Sequence, residues 1–458
     1  MNAVSFLHEL RFEDLPEHVV RWAETCLKDL LCVAAAGSET ELSRLIRAHA
    51  ASQFGAGDAG ARMLFDGRRV SPAGAALAGG MTIDSVDAHD GWKPCKGHAG
   101  CGLLPSLLAF AEAEARGDGR EFLTALVIGY EVACRAGVAL HGTVPDYHTS
   151  GAWVAVAAAG LGARAMGLDA ERTRHALGIA EYHGPRSQMM RCIDHPTMLK
   201  DGSGWGAMAG VSAAYLARYG FTGAPAITVE EAPEYWADLG SNWLIAEQYF
   251  KPSPVCRWAQ APMEAARALR ARHGLTPEMI DHVEVESFHE AIRLHTRRPA
   301  TTEEAQYSLP HPVAAALARG EVGPAEIGPE SFADPEIARL AEGMVLSESE
   351  ECNAAFPAHR YAYLRIHLKS GEVIASERFE ARGDPEAPLT EAEFDGKFHA
   401  YADPVVGAER ARAIKASAEA LRASGEVGAL ASLVTAPVAG EAGSGATSGA
   451  RLPEAALA

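Results

Sequence analysis

Residues Ile83 to Gly102, IDSVDAHDGWKPCKGHAGCG, gather three aspartates, two histidines and two lysines into one glycine-interrupted stretch. It is too polar for core and opens directly into the apolar run LLPSLLAFAEAEA, so it belongs at a pocket for a charged small molecule. Spacing by three would put Asp84, Asp87 and Asp90 on one helix face, but Gly91 and Pro94 break a helix there, and a turn presenting them to a cleft is expected. Three chemistries fit. Asp87, His89, Asp90 and His98 offer oxygen and nitrogen ligands to a metal, although no compact signature such as H-E-x-x-H accompanies them. A solvated loop capping the next helix fits as well. Third, His98 in Lys96-Gly97-His98-Ala99-Gly100 stands at a helix entrance, where free N–H groups favour an anion and make a loop cradle for a carboxylate.

Three further segments carry reactive side chains. In Asp146-Tyr147-His148-Thr149-Ser150, ahead of an Ala-rich helix, Tyr147 and His148 are available as acid, base or anion contacts, or simply as a satisfied hydroxyl and a cap. Lys200, in HPTMLKDGSG, stands just before a tightly packed helix and could project into a groove. A desolvated lysine can lose its proton and act as a base. Lys251, in FKPSPVC, lies on a strap that two prolines hold extended, from which it could clamp a carboxylate.

The elements that must position these groups are mostly helices. Apolar residues recur at helical spacing from Val19 to Leu31 until Gly37, and over Leu103 to Arg116, Glu121 to Ala139, Gly151 to Met166, Ala170 to Tyr182, Gly204 to Tyr219 and Trp258 to His273. The stripe Gly206, Gly210, Ala213, Ala214, Ala217 lets helix axes approach closely. Past Leu275 the texture changes. Ile280 to Glu286 alternates apolar and polar, Tyr361 to Phe379 alternates around a Ser370-Gly371 turn, and Pro312 to Ala318 is a short helix closed by Gly320. The fold expected is mainly α: a large all-helical domain over residues 1–275, completed by 396–434, and a smaller α+β lid domain over 276–395. Residues 435–458, rich in Ala, Gly, Ser and Pro, are expected to be a disordered tail.

A net charge of −19 argues against nucleic acid or an anionic membrane as partner, so basic groups that meet an anionic substrate must be concentrated locally. The eight cysteines form no C-x-x-C pair, which points to reduced, buried thiols and away from an iron–sulfur centre or a structural zinc. The first twenty residues do not have the pattern of a signal peptide, no apolar run approaches a bilayer span, and a cytoplasmic protein is expected.

Taken in order, LPEHVV with LKDLLCVAAAGS, HAGCGLLPSLLAFAEA, GYEVACRAG, YHTSGAWVAVAAAGLGARAMGL, ALGIAEYHG, LKDGSGWGAMAGVSAAYLARYGFTG, KPSPVC and AQYSLPHPVAAALARG resemble the MmgE/PrpD family. Its members include 2-methylcitrate dehydratase, cis-aconitate decarboxylase and iminodisuccinate epimerase. The resemblance runs to about residue 395. It implies a homodimer that removes a proton next to a carboxylate of a small anionic substrate, with no metal and no cofactor. The family's functional positions fall on Asp87, His98, His148, Lys200 and Lys251. Two departures stand out: the usual D-F-D-D-T reads DAHDG, with His89 and Gly91 in place of Asp and Thr, and the Phe before the motif histidine is Tyr147.

Those departures point to an epimerase of an iminodisuccinate-like amino acid, which needs two acid/base groups on opposite faces of one carbon. Tyr147 and Lys200 would be the bases, His98, His148 and Lys251 would polarise the carboxylates, Asp87 would orient a histidine, and Asp90 and Lys96 would touch substrate. The alternatives are a 2-methylcitrate-type dehydratase and a cis-aconitate-type decarboxylase. Outside this chemistry stand a pyridoxal-phosphate enzyme with Lys200 as Schiff-base lysine and a noncatalytic carboxylate-binding protein.

Overall fold

The computed structural model describes residues 2–423 and 425–438. Its longer N-terminal helices are α1 (Glu17–Gly37), α2 (Pro72–Asp84), α3 (Gly100–Ala113), α4 (Gly119–Thr143), α5 (Gly151–Met166), α6 (Ala170–His183), α7 (Ser203–Arg218) and α8 (Arg257–His273). Most stop where the sequence places a glycine: Gly167 after α5 and Gly274 after α8 adopt the left-handed conformation, at φ +62° in each case. A two-residue hairpin pairs β1 (Ala61–Arg62) with β2 (Arg69–Val70).

Helix α7 is the hub, packing on α2, α5 and α6. Its small residues allow this. A Cβ on Gly206 would sit 2.2 Å from the Gly151 carbonyl oxygen, and one on Gly210 would sit 2.2 Å from that of Ala155. The backbones of α5 and α7 therefore touch, and the loops ahead of both helices, which carry Tyr147, His148 and Lys200, are held side by side.

One expectation is corrected by α4. Its 25 residues include a window of mean hydropathy 1.5, long and apolar enough to cross a bilayer, but 94% of that window is buried inside the fold. Glu131 and Arg135, an ion pair at 3.4 Å, lie buried on it, as in a core helix.

A mixed sheet forms beyond α8. Strand β3 (Ile280–Ser287) pairs in parallel with β4 (Val345–Glu348) and antiparallel with β5 (Tyr361–Leu368), which also pairs with β6 (Val373–Ala375) and β7 (Phe379–Glu380). The alternation read from sequence is its two faces: Val283, Val285, Leu364 and Ile366 are buried, and α8 packs on β5. The parallel strand β4 was not legible, because VLSE is too short to show a period. Helix α9 (Pro310–Arg319), stopped by Gly320 at φ +86°, packs on α8, while α10 (Glu391–Val406) returns to α1 and is followed by α11 (Ala408–Ala420). The fold is mainly α with a smaller α+β part. All eight cysteines are free and buried.

Residues 435–438 of the expected tail belong to the folded chain. Thr435 closes the helix Val427–Thr435, and Val438 is buried with its N–H donated to the Phe65 carbonyl at 3.3 Å; residues 439–458 lie outside the described residues.

Gly210→Val should cost about 3 kcal/mol by wedging α7 from α5. Gly55→Ala, with nothing within 4 Å of the added carbon, should stay within about 0.5 kcal/mol. Denaturant midpoints of the two variants check this.

Candidate active site

Residues 85–99 link α2 to α3, and their backbone is held by hydrogen bonds within the segment and to other parts of the chain. Gly91 pairs with Tyr249 through two backbone hydrogen bonds of 3.1 and 2.8 Å, Trp92 donates to Gly97 at 3.0 Å, and the His98 N–H donates to Ser150 Oγ at 2.8 Å. Ser150 in turn donates to Asp201. Five non-glycine residues among those described have positive φ, and three of them are Asp87 (+38°), Lys96 (+57°) and Lys200 (+50°). Such backbone costs energy and persists where surrounding structure imposes it, often at functional sites.

His98 is held in one tautomer. Its Nδ1 donates to the Asp90 carbonyl at 2.6 Å, which leaves the Nε2 lone pair as acceptor on a residue lining the cavity. Burial first, then the nearby Lys251, pulls its pKa well below the ordinary histidine value, so the ring stays neutral. The His89 ring meets it edge-on, with centroids 4.5 Å apart.

Lys251 is buried, and its Nζ donates to Asp87 Oδ1 at 2.6 Å and to the Asp87 carbonyl at 3.0 Å. Burial alone would raise the Asp87 carboxyl, but Lys251, helped by Lys200, outweighs it and holds the pKa well below the carboxylate range. Asp87 therefore partners a lysine, which corrects the reading that it orients a histidine. Asp84, Asp87 and His89 bring possible ligand atoms within 4.8 Å of one another, but the Lys251 ammonium already sits on that cluster and would repel a divalent cation.

Tyr147 donates its hydroxyl to the Lys96 carbonyl at 2.7 Å, and the Lys96 ammonium lies 5.5 Å from its ring. Burial pushes its pKa well above that of a free phenol, so the group holds its proton. Lys200 is 2% exposed; its Nζ donates to Gln306 Oε1 at 2.5 Å and lies 4.6 Å from the Tyr307 ring centroid.

Asp87, Lys96, His98, Tyr147 and Lys251 line one small cavity. The lining also includes two tyrosines and two arginines that are not among the sequence candidates: Tyr249, Arg257, Tyr307 and Arg360. Arg257 directly follows the KPSPVC strap and Tyr307 sits in AQYSLPH, so one lies beside and the other inside a family motif. Nothing marked Arg360, which enters from the residue before β5. Lys200 and His148 line a neighbouring cavity with Arg186 and Arg191, beyond a wall formed by residues 147–149 and 188–193.

Two expectations need correction. Asp90 does not line the cavity: it is fully buried, its Oδ2 accepts from Tyr130 at 2.5 Å, and its contribution to the site is the carbonyl that fixes His98. Nor is the entrance of α3 a cradle for a substrate carboxylate, because Asp90 and Tyr130 already fill the space at Gly100.

The MmgE/PrpD N-terminal domain pattern matches residues 2–239 and the C-terminal domain pattern matches residues 253–423. The chain belongs to the MmgE/PrpD family. Among curated relatives it is similar to a cis-aconitate decarboxylase-like protein of Aspergillus oryzae, 24% identical over 94% of this chain and 96% of that protein. The cis-aconitate decarboxylases of Mus musculus and Homo sapiens are each 24% identical over 87% of this chain, covering 86% and 87% of those proteins. For this MmgE/PrpD protein the departures in DAHDG have a structural account. A Cβ on Gly91 would fall 2.6 Å from the Tyr249 hydroxyl and 2.7 Å from His98 Nδ1, so Gly91 makes room for Tyr249, while His89 buttresses His98.

Burial raises the Asp90 pKa to about 7. An acid whose pKa is raised on folding binds its proton more tightly in the folded state. Its share of stability is therefore lost as pH climbs from about 4 towards the raised value. Asp90→Asn should remove part of the decline in stability across that window, as measured by urea denaturation at a series of pH values.

Proposed function

We propose that this protein is a lyase acting on a small polycarboxylate, in which Tyr147 supplies a proton and, in a dehydration, His98 accepts one from the carbon next to a carboxylate. The observation that carries this reading is the complementary state of two groups in one cavity: a buried histidine kept neutral with Nε2 unprotonated, and a buried phenol kept protonated. In a dehydration, His98 takes the α-proton and the electron pair is delocalised into the adjoining carboxylate, beside the Lys251 ammonium. The β-hydroxyl then leaves as water with the Tyr147 proton, and a double bond forms. In a decarboxylation, the pair from the breaking carbon–carboxylate bond is delocalised in the same way, and Tyr147 protonates carbon. The relatives named as cis-aconitate decarboxylases support the second variant, and the lone pair on His98 supports the first.

Epimerisation by Tyr147 and Lys200 has less support. Each would have to begin as a base in one direction, yet burial raises the Tyr147 pKa, and Lys200 already donates to Gln306 beside the Tyr307 ring.

Incubation with a panel of di- and tricarboxylates in deuterated water, followed by NMR, tests the reading. Loss of a hydroxyl or of carbon dioxide from one acid is expected. Inversion with deuterium incorporation and an unchanged skeleton would replace it with the epimerase, and tight binding without exchange would leave a binding protein. His98→Gln should lower kcat/KM by about 10²- to 10⁴-fold. Tyr147→Phe should stop product formation while α-proton exchange into solvent persists. Because burial and Lys251 keep His98 neutral well below the ordinary histidine value, the acidic limb of the kcat/KM profile should lie below the range of a free imidazole.

A further inference from the structure

Two of the cations lining the cavity have carboxylate partners, while Lys96 lies over the Tyr147 ring. Lys251 is paired with Asp87, and Arg257 donates to Asp384 Oδ2 at 2.7 Å and to the carbonyls of Ala381 and Arg382. Arg360 is 8% exposed, and its Nε and Nη1 are buried with no hydrogen-bond acceptor among the described residues. Its backbone N–H reaches Glu380 Oε1 at 3.3 Å, but the Glu380 carboxylate is shared by Lys93 and His359. The guanidinium lies 5.8 Å from the Tyr249 ring centroid, and its charge lowers the pKa of Tyr147 against the larger effect of burial. An arginine cannot relieve burial by losing its proton, so an unpaired guanidinium in such a place is expensive until an anion reaches it.

We propose that Arg360 is the receptor for a substrate carboxylate remote from the reacting carbon, a subsite that selects a tricarboxylate over acids with one carboxylate fewer. The planar fork suits bidentate capture of a carboxylate through Nη2 together with either Nε or Nη1, the two nitrogens that are buried without a partner. The subsite arrives from the α+β part of the chain, immediately before β5, while His98 and Asp87 come from the helical part. Both halves of the fold thus contact one ligand. The proposal rests on the polycarboxylate reading above and goes further by assigning one carboxylate to one residue.

The test is calorimetric binding of tricarballylate, methylsuccinate and glutarate to the full chain and to its Arg360→Gln and Arg360→Lys variants, with melting temperatures alongside. Methylsuccinate lacks a terminal carboxylate of tricarballylate, and glutarate lacks the central one. Arg360→Gln should weaken tricarballylate by about 30-fold or more. It should change the affinity of one of the two diacids by less than about threefold, because that diacid lacks the carboxylate Arg360 holds. Arg360→Lys, which keeps the charge and loses the fork, should fall between, and it decides the matter if the glutamine variant does not fold. Equal weakening of all three acids, or none, would overturn the subsite while leaving the polycarboxylate reading intact. Arg360-dependent binding of tricarballylate without lyase chemistry on any acid in the deuterium panel would do the reverse. Failure of the unsubstituted protein to bind any of the acids would overturn both.

Discussion

A buried ammonium sits on a buried carboxylate where Lys251 meets Asp87, and the candidate site depends on that contact. Taking two charges out of water is costly, and only close geometry repays it. Here Nζ reaches both the side chain and the carbonyl of Asp87, whose backbone is in the left-handed region. The pair ties the proline strap after Tyr249 to the loop between α2 and α3. It also keeps a fixed positive charge beside His98. With burial, that charge keeps the imidazole neutral, and so a single contact fixes the shape of the loop and the protonation of its histidine.

The scaffold around this pair is unusually close-packed where it matters. Backbone contact between α5 and α7 leaves no play between the segments that carry Tyr147 and Lys200, and Ser150 and Asp201 link the starts of those helices to His98. Such rigidity can support left-handed backbone at Asp87, Lys96 and Lys200, each a cost of about 1–3 kcal/mol that isolated loops would relax. The substituted residues of DAHDG belong to the same packing. Gly91 and Tyr249 form a complementary pair, and His89 is packing support for His98.

Membership of the MmgE/PrpD family, with relatives named as cis-aconitate decarboxylases, agrees with a cavity rich in lysine and arginine inside a chain of net charge −19. The excess of acid lies elsewhere on the molecule. Inside the cavity the basic groups outnumber Asp87, which is what recognition of several carboxylates on one small molecule requires. The presence of His89 and Gly91 therefore reads as repacking of the wall, compatible with the proton transfer proposed for His98 and Tyr147.

Much of this was legible in the sequence because it is local. Helical periodicity, glycine stops and the hairpin turn at Ser370-Gly371 are set by neighbours a few residues apart, and they placed α5 over its observed residues and β3 to within one. The types of Asp87, Lys96, His98, Tyr147 and Lys251, together with their family motifs, were enough to nominate them. Pairing was not legible. That Asp87 holds Lys251, that Asp90 turns away to Tyr130 and that Lys200 faces Gln306 are contacts across 164, 40 and 106 positions of chain, and Arg360 joins the cavity from still further along it. Sequence by itself determined which chemical groups the protein owns and which segments are helix or strand. Only the tertiary structure decided which groups meet, because partner choice, burial and hence protonation arise from contacts between segments that no local pattern encodes.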